Sequence, residues 1–181
     1  MRTLYIGLDE SNHGRTPEII VAVASLIQSD ASEVLTKCKK RMREKELRQF
    51  LTHPQRDYRF TKMSEESKVV GYGQFVSCGP LLINELLEKT ENIDRLEIMI
   101  DGDVKKRDMS EIGKRVSATR KSREIGEFGI MPYPKYTYLA QASGYKYPLL
   151  LIAADSLAHY IFRREEFMEK IGATQKRVET K

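Results

Sequence analysis

Two acidic residues close the first apolar strand pattern of the chain, Leu4-Tyr5-Ile6-Gly7-Leu8-Asp9-Glu10. Two more close a later one, Leu96-Glu97-Ile98-Met99-Ile100-Asp101-Gly102-Asp103. A further acid, Asp155, follows the apolar run Leu149-Leu150-Leu151-Ile152-Ala153-Ala154. Carboxylates gathered at the tips of buried strands repel one another and lose hydration. A divalent cation offsets both costs, and hard oxygen donors select Mg²⁺ or Mn²⁺. Asp9, Glu10, Asp101 and Asp155 come from distant parts of the sequence. Together they have the composition of a two-metal phosphoryl-transfer site, where cations about 4 Å apart activate water and stabilise the leaving oxygen. The chain therefore reads as a Mg²⁺- or Mn²⁺-dependent enzyme acting on phosphate esters, with these four acids as catalytic and metal-holding residues. Each has a plainer alternative. Asp9 and Glu10 could cap a turn, Asp101 and Asp103 could close a glycine turn, and Asp155 could be a paired structural carboxylate.

Around these acids stand side chains suited to a polyanion. Residues 104–123 hold eight Lys or Arg and two acids, a local +6 against +5 for the whole chain. Lys105, Lys106 and Arg107 follow the second acidic strand end directly, Lys114 and Arg115 lie further along, and Arg15 lies in the loop after the first. Such cations grip a phosphate backbone without reading bases. The alternative is a solvated basic loop and helix. His13, in the same loop as Arg15, could shuttle a proton or contact phosphate. His159, four residues after Asp155, shares its helical face. Asp103 is a further accessory candidate. Tyr133, Tyr136, Tyr138, Tyr145 and Tyr147 precede the last helix and would stack on sugars or bases, or pack in the core.

The elements that must position these residues follow from periodicity. Residues 3–9 and 18–27 read as strands around a turn at 12–17, hence an antiparallel hairpin. Apolar residues at 31, 34, 35, 38 and 42 are spaced for one helix from Ser29-Asp30 to His53-Pro54. Residues 57–62 read as a short strand. Ser64-Glu65-Glu66-Ser67 resembles a capped helix start, with helix to about 90 and a break or kink at Gly79-Pro80. Residues 95–101 form the next strand, the basic segment to Phe128 reads as helix, and 135–141 as a fifth strand. Pro148 fits the first turn of a long helix over 148–170, and the polar residues beyond 171 should fray. Residues 1–170 thus read as a single α/β domain with a polar tail, 171–181. It would be built on a mixed sheet, with an antiparallel start followed by alternating strands and helices and with helices on both faces.

With 40% hydrophobic and 31% charged residues, 181 positions suit one globular core rather than a disordered or fibrous chain. No apolar run approaches the roughly 18 residues of a membrane span, and the start lacks a signal-peptide layout. Cys38 and Cys78 lie in no CxxC or Cys/His pattern, so both read as reduced thiols of a cytoplasmic protein.

The stretch GLDESNHGRTPEIIVAVAS, the strand end MIDGD and the late helix LIAADSLAHYIFRR together resemble ribonuclease HII and the wider RNase H-like superfamily. The resemblance runs through most of the chain in order, on short motifs. It implies an RNase H-like five-stranded sheet, a metal-dependent nuclease acting on RNA, RNA–DNA hybrid or DNA, and metal-binding roles for Asp9, Glu10 and Asp101. Two departures mark a divergent member. The loop Ser11-Asn12-His13-Gly14-Arg15 replaces the family's compact Gly-Arg-Gly loop. The neighbourhood Ser143-Gly144-Tyr145-Lys146 carries no fourth acid, for which Asp155 would substitute. Two competing readings are a non-catalytic nucleic-acid-binding protein of the same fold and a Toprim-like phosphotransfer enzyme, the latter on Glu10 with Asp101 and Asp103.

Overall fold

The computed structural model describes residues 1–11, 18–36, 41–63, 73–133, 145–163 and 165–179. Strand β1 (Thr3–Ser11) pairs antiparallel with β2 (Glu18–Ser25). A short helix α1 (Gln28–Ala31) and a strand β3 (Glu33–Thr36) follow, then helix α2 (Glu44–Leu51) and strand β4 (Arg56–Met63), antiparallel to β2. Helix α3 (Gln74–Lys89) leads to β5 (Arg95–Asp101), which lies parallel to β1. Helix α4 (Lys106–Ser122) leads to β6 (Glu127–Tyr133), parallel to β5. Strand β7 (Tyr145–Pro148) pairs with β3, and helices α5 (Leu149–Arg163) and α6 (Glu165–Lys170) end the main body. The large sheet is ordered β4-β2-β1-β5-β6. It is the mixed five-stranded sheet expected, antiparallel in its first half and parallel in its second.

Strand alternation sorts the two faces. Leu4, Ile6, Leu8, Leu96, Ile98 and Ile100 point toward Leu82, Ile83 and Leu86 of α3 and Ile112 and Val116 of α4. Tyr5, Val21, Val23 and Met99 point the other way, toward Leu150, Leu151, Ala154 and Leu157 of α5. Every residue of β2 is buried, as a strand inside the sheet with both faces covered should be. Gly7 faces α5 at close range. A Cβ there would lie 3.1 Å from the Leu150 carbonyl oxygen and 3.2 Å from its Cγ, so this glycine lets the helix settle on the strand.

Several elements depart from the periodicity. The single helix expected across 29–53 is instead α1, β3 and α2, because Val34 and its neighbours pair with Tyr145–Pro148 and that tertiary pairing overrides helical spacing. The basic segment is helical only to Ser122; Phe128 belongs to β6, an edge strand carrying Gly129 and Pro132. Pro80 lies inside α3, which continues through it to Lys89. Pro148 closes β7 rather than opening α5. The expected helix start at 64–67 and strand at 135–141 lie outside the described residues. The segment expected to fray is held down: Val178 N–H donates to the Phe60 carbonyl at 2.8 Å, and Lys176 Nζ reaches Asp57 Oδ1 at 2.6 Å.

Candidate active site at the ends of the central strands

The two central parallel strands end side by side. Leu8 stands against Ile100, so Asp9 and Asp101 are the next residues on neighbouring strands. By alternation, each faces the side covered by α5. Asp9 is 2% exposed, and its Oδ1 accepts the Glu10 N–H at 2.7 Å. Asp101 accepts a hydrogen bond from the Tyr147 hydroxyl, and the Tyr147 ring meets Tyr133 edge-on at 5.8 Å. Tyr147 is buried, so it serves as a positioning donor rather than an open stacking surface.

Glu10 takes the other face. Reaching the Asp9 side would have needed a bulge, but the register with β2 runs unbroken from Tyr5 against Ser25 to Ser11 against Ile19. Glu10 instead lines a cavity of about 180 Å³ with Asp101, Asp103, Asp108 and Phe75. Gly102 turns the chain there at φ 112°, a conformation reserved for glycine, and its N–H donates to the Tyr133 carbonyl at 2.6 Å. The cavity is the meeting place of the strand ends and the first turn of α4. Asp101 thus belongs to both sides, held by Tyr147 on one and bordering the Glu10 cavity on the other.

Asp155 sits on α5 with its side chain 9% exposed, and Arg41 Nε holds its Oδ2 at 2.9 Å. The next residue, Ser156, accepts the Met42 N–H at 2.8 Å and donates to the Ile152 carbonyl at 2.6 Å. His159, one turn on, meets the Tyr160 ring edge-on at 5.7 Å. Lys105 and Lys106 stand at the start of α4; Arg107 pairs with Asp108 at 3.3 Å, while Lys114 and Arg115 pair with Glu111 at 3.8 and 3.2 Å. His13 and Arg15 lie outside the described residues, as do Cys38, Tyr136 and Tyr138. Cys78 is a buried free thiol.

Sequence reasoning missed the Arg41 pairing with Asp155 and the Tyr147 hydrogen bond to Asp101. Arg41 looked like one cation among many in a basic run. Tyr147 gave only an aromatic signal before Pro148. Glu18, wholly buried at the head of β2, was read as strand. Burial pushes the Cys78 thiol up; the Ser77 hydrogen bond pulls it down and the Glu18 charge adds to the rise, which places this acid on the α3 face of the sheet.

The donor chemistry suits a hard divalent cation: Asp9 and Asp101 offer carboxylate oxygens from adjacent strand ends, and Asp155 comes from the helix over the same face. Among the described residues, no three Asp, Glu, His or Cys side chains lie close enough together to hold one ion. Asp9 and Asp101 stand on adjacent strands, and the Asp155 carboxylate is engaged by the Arg41 guanidinium.

No protein-family model matches the sequence. No curated protein matches it. Among solved structures, the chain is similar to the structure of the PCNA:RNase HII complex from Archaeoglobus fulgidus. The likeness has a TM-score of 0.55 at 15% identity and covers 95% of this chain and 79% of that one. The fold is RNase H-like. A weaker likeness, TM-score 0.33 at 13% identity, is to the human cytomegalovirus terminase nuclease domain in an Mn-soaked, inhibitor-bound structure, covering 96% of this chain and 73% of that one. Within the RNase H-like fold of this chain, no helix among the described residues is long and apolar enough to cross a membrane.

Proposed function

We propose that this chain is a nuclease that hydrolyses phosphodiester bonds with the help of Mg²⁺ or Mn²⁺, on RNA or an RNA–DNA hybrid. The observation that carries this reading is the placement of Asp9 and Asp101 at neighbouring strand ends, on the face that receives the helix of Asp155. Carboxylates on neighbouring strand ends, one of them the buried Asp9, have the oxygen chemistry that a hard divalent cation takes. The likeness to a chain from an RNase HII complex supports the fold on which such a pair would act.

In this reading Asp9, Asp101 and Asp155 hold the cations and Glu10 completes the set from its cavity. Divalent cations bound there would supply a nucleophilic water at neutral pH and neutralise the leaving oxygen. Tyr147 keeps the Asp101 carboxylate aimed. Lys105, Lys106 and Arg107 at the head of α4, with Lys114, Arg115 and Arg15, grip the phosphate backbone. Asp103, His13 and His159 are accessory, suited to proton movement near the site. Residues 1–170 act as one domain with 171–181 as a tail, in the cytoplasm.

The test is cleavage of labelled single-stranded RNA, RNA–DNA hybrid, duplex DNA and single-stranded DNA. Each is run with Mg²⁺, Mn²⁺ and EDTA, with wild type beside Asp101→Asn. Metal-dependent cutting of RNA or hybrid, lost in the variant, is the expected result. No cutting of any substrate, with nucleic-acid binding indifferent to metal and mutation, would leave a non-catalytic binding protein as the better account.

A further inference from the structure

The Arg41–Asp155 pair has a design that static packing does not call for. An ionised carboxylate at 9% exposure inside an apolar helix needs a cationic partner. The partner supplied has a side chain 47% exposed, so the guanidinium lies partly in water. Its backbone is fastened independently of the ion pair. Met42 N–H donates to Ser156 Oγ at 2.8 Å, and the Tyr160 hydroxyl donates to the Met42 carbonyl at 3.2 Å. The segment therefore stays on α5 if the guanidinium swings away. A long, half-solvated side chain on an anchored backbone is suited to exchange.

We propose that Arg41 is a resident counter-ion for Asp155 that a divalent cation displaces, which makes Arg41 a positioning residue controlling when Asp155 joins the cation site. This rests on the cation-dependent reading given above. In the metal-free protein, Arg41 neutralises Asp155. When a cation is bound by Asp9 and Asp101, its double charge outcompetes a single, partly hydrated guanidinium for the Asp155 oxygens. The exchange explains why the donor types fit a cation although, among the described residues, no three such side chains lie close enough together to hold one ion. Its cost is reduced cation affinity, since the ion must first displace Arg41.

The experiment is Mn²⁺ titration by calorimetry on wild type, Arg41→Gln, Asp155→Asn and the double variant. Arg41→Gln should bind Mn²⁺ about tenfold more tightly than wild type, the effect of removing one competing charge. Asp155→Asn should bind more weakly, and the gain from Arg41→Gln should vanish in the Asp155→Asn background. Equal affinity of wild type and Arg41→Gln, with Asp155→Asn still weaker, would overturn the exchange and leave the nuclease reading intact. Failure of every form to bind Mn²⁺ would overturn both. If Arg41→Gln unfolds, Arg41→Lys replaces it: a smaller gain of the same sign is expected, and no gain overturns the exchange.

Discussion

Two buried aspartates in this molecule, each paired with an arginine, differ in a way that separates structure from chemistry. Asp30 is 2% exposed. Arg56 donates to both its oxygens, through Nε at 2.6 Å and Nη2 at 2.9 Å, and Ser25 Oγ donates at 2.5 Å. Arg56 is itself only 15% exposed, stacks over Phe50 at 3.8 Å and donates to the Phe50 carbonyl. Both partners of that pair are locked, and it ties α1, α2, β2 and β4 together. Asp155 has a buried carboxylate but a half-exposed arginine. A carboxylate whose cation is held from every side is architecture. One whose cation faces water can exchange partners.

The largest test of this contrast is Asp30→Ala. It strands the Arg56 charge in the interior and should cost about 3–5 kcal/mol of unfolding free energy in urea. Asp155→Ala in the metal-free protein should cost no more than about 1 kcal/mol, because Arg41 can turn into solvent. Equal losses would erase the distinction. Next in size is Gly7→Ala, which pushes a methyl against the Leu150 carbonyl. It should cost about 1–3 kcal/mol in thermal melting and disturb the helix bearing Asp155 while leaving the Asp30 cluster in place. Undiminished stability would mean that the helix does not rest on the strand as described.

The smallest effect concerns Asp57, an intermediate case between Lys176 and Arg59. Burial raises its pKa, but the Lys176 hydrogen bond, the Tyr58 N–H and Arg59 together bring it below the ordinary aspartate value. The sign follows from that direction. The stabilisation is complete above the unfolded value of about 3.9 and is lost as pH falls through the lower folded value. Lys176→Ala should therefore lower the melting temperature by a fixed amount, worth less than about 1 kcal/mol, from pH 7 to about 5. The difference should shrink toward zero in stronger acid. A difference that persists at the lowest pH would show that Lys176 acts through packing instead.

The sheet was readable because its central strands announce themselves. Residues 18–25 are an apolar run that a doubly covered strand explains. Strands β1 and β5 carry alternating apolar residues at Leu4, Ile6 and Leu8 and at Leu96, Ile98 and Ile100, and Asp9 and Asp101 follow those patterns toward the end of each strand. Strand β6 was not readable, since an edge strand with Gly129, Pro132 and an exposed Met131 lacks the alternation that burial imposes. Strand β3 hid inside helical spacing because only its distant partner, Tyr145–Pro148, selects the extended form. In the site, the residue types of the acids carried the signal. The orientation of Glu10 depended on unbroken register, and the Arg41 pairing spans 114 positions, a separation no local pattern encodes.

The most direct test of the central claim is the cleavage rate of Asp9→Asn on whichever substrate wild type cuts best, at fixed Mg²⁺, beside its metal-free melting temperature. The account predicts a loss of about 100-fold or more in rate, since an amide is a poorer ligand for a hard cation. It also predicts a metal-free melting temperature close to that of wild type, because asparagine keeps the side chain's shape and an oxygen to accept the Glu10 N–H. Cleavage by Asp9→Asn at the wild-type rate, or wild-type cleavage undiminished in EDTA, would contradict it.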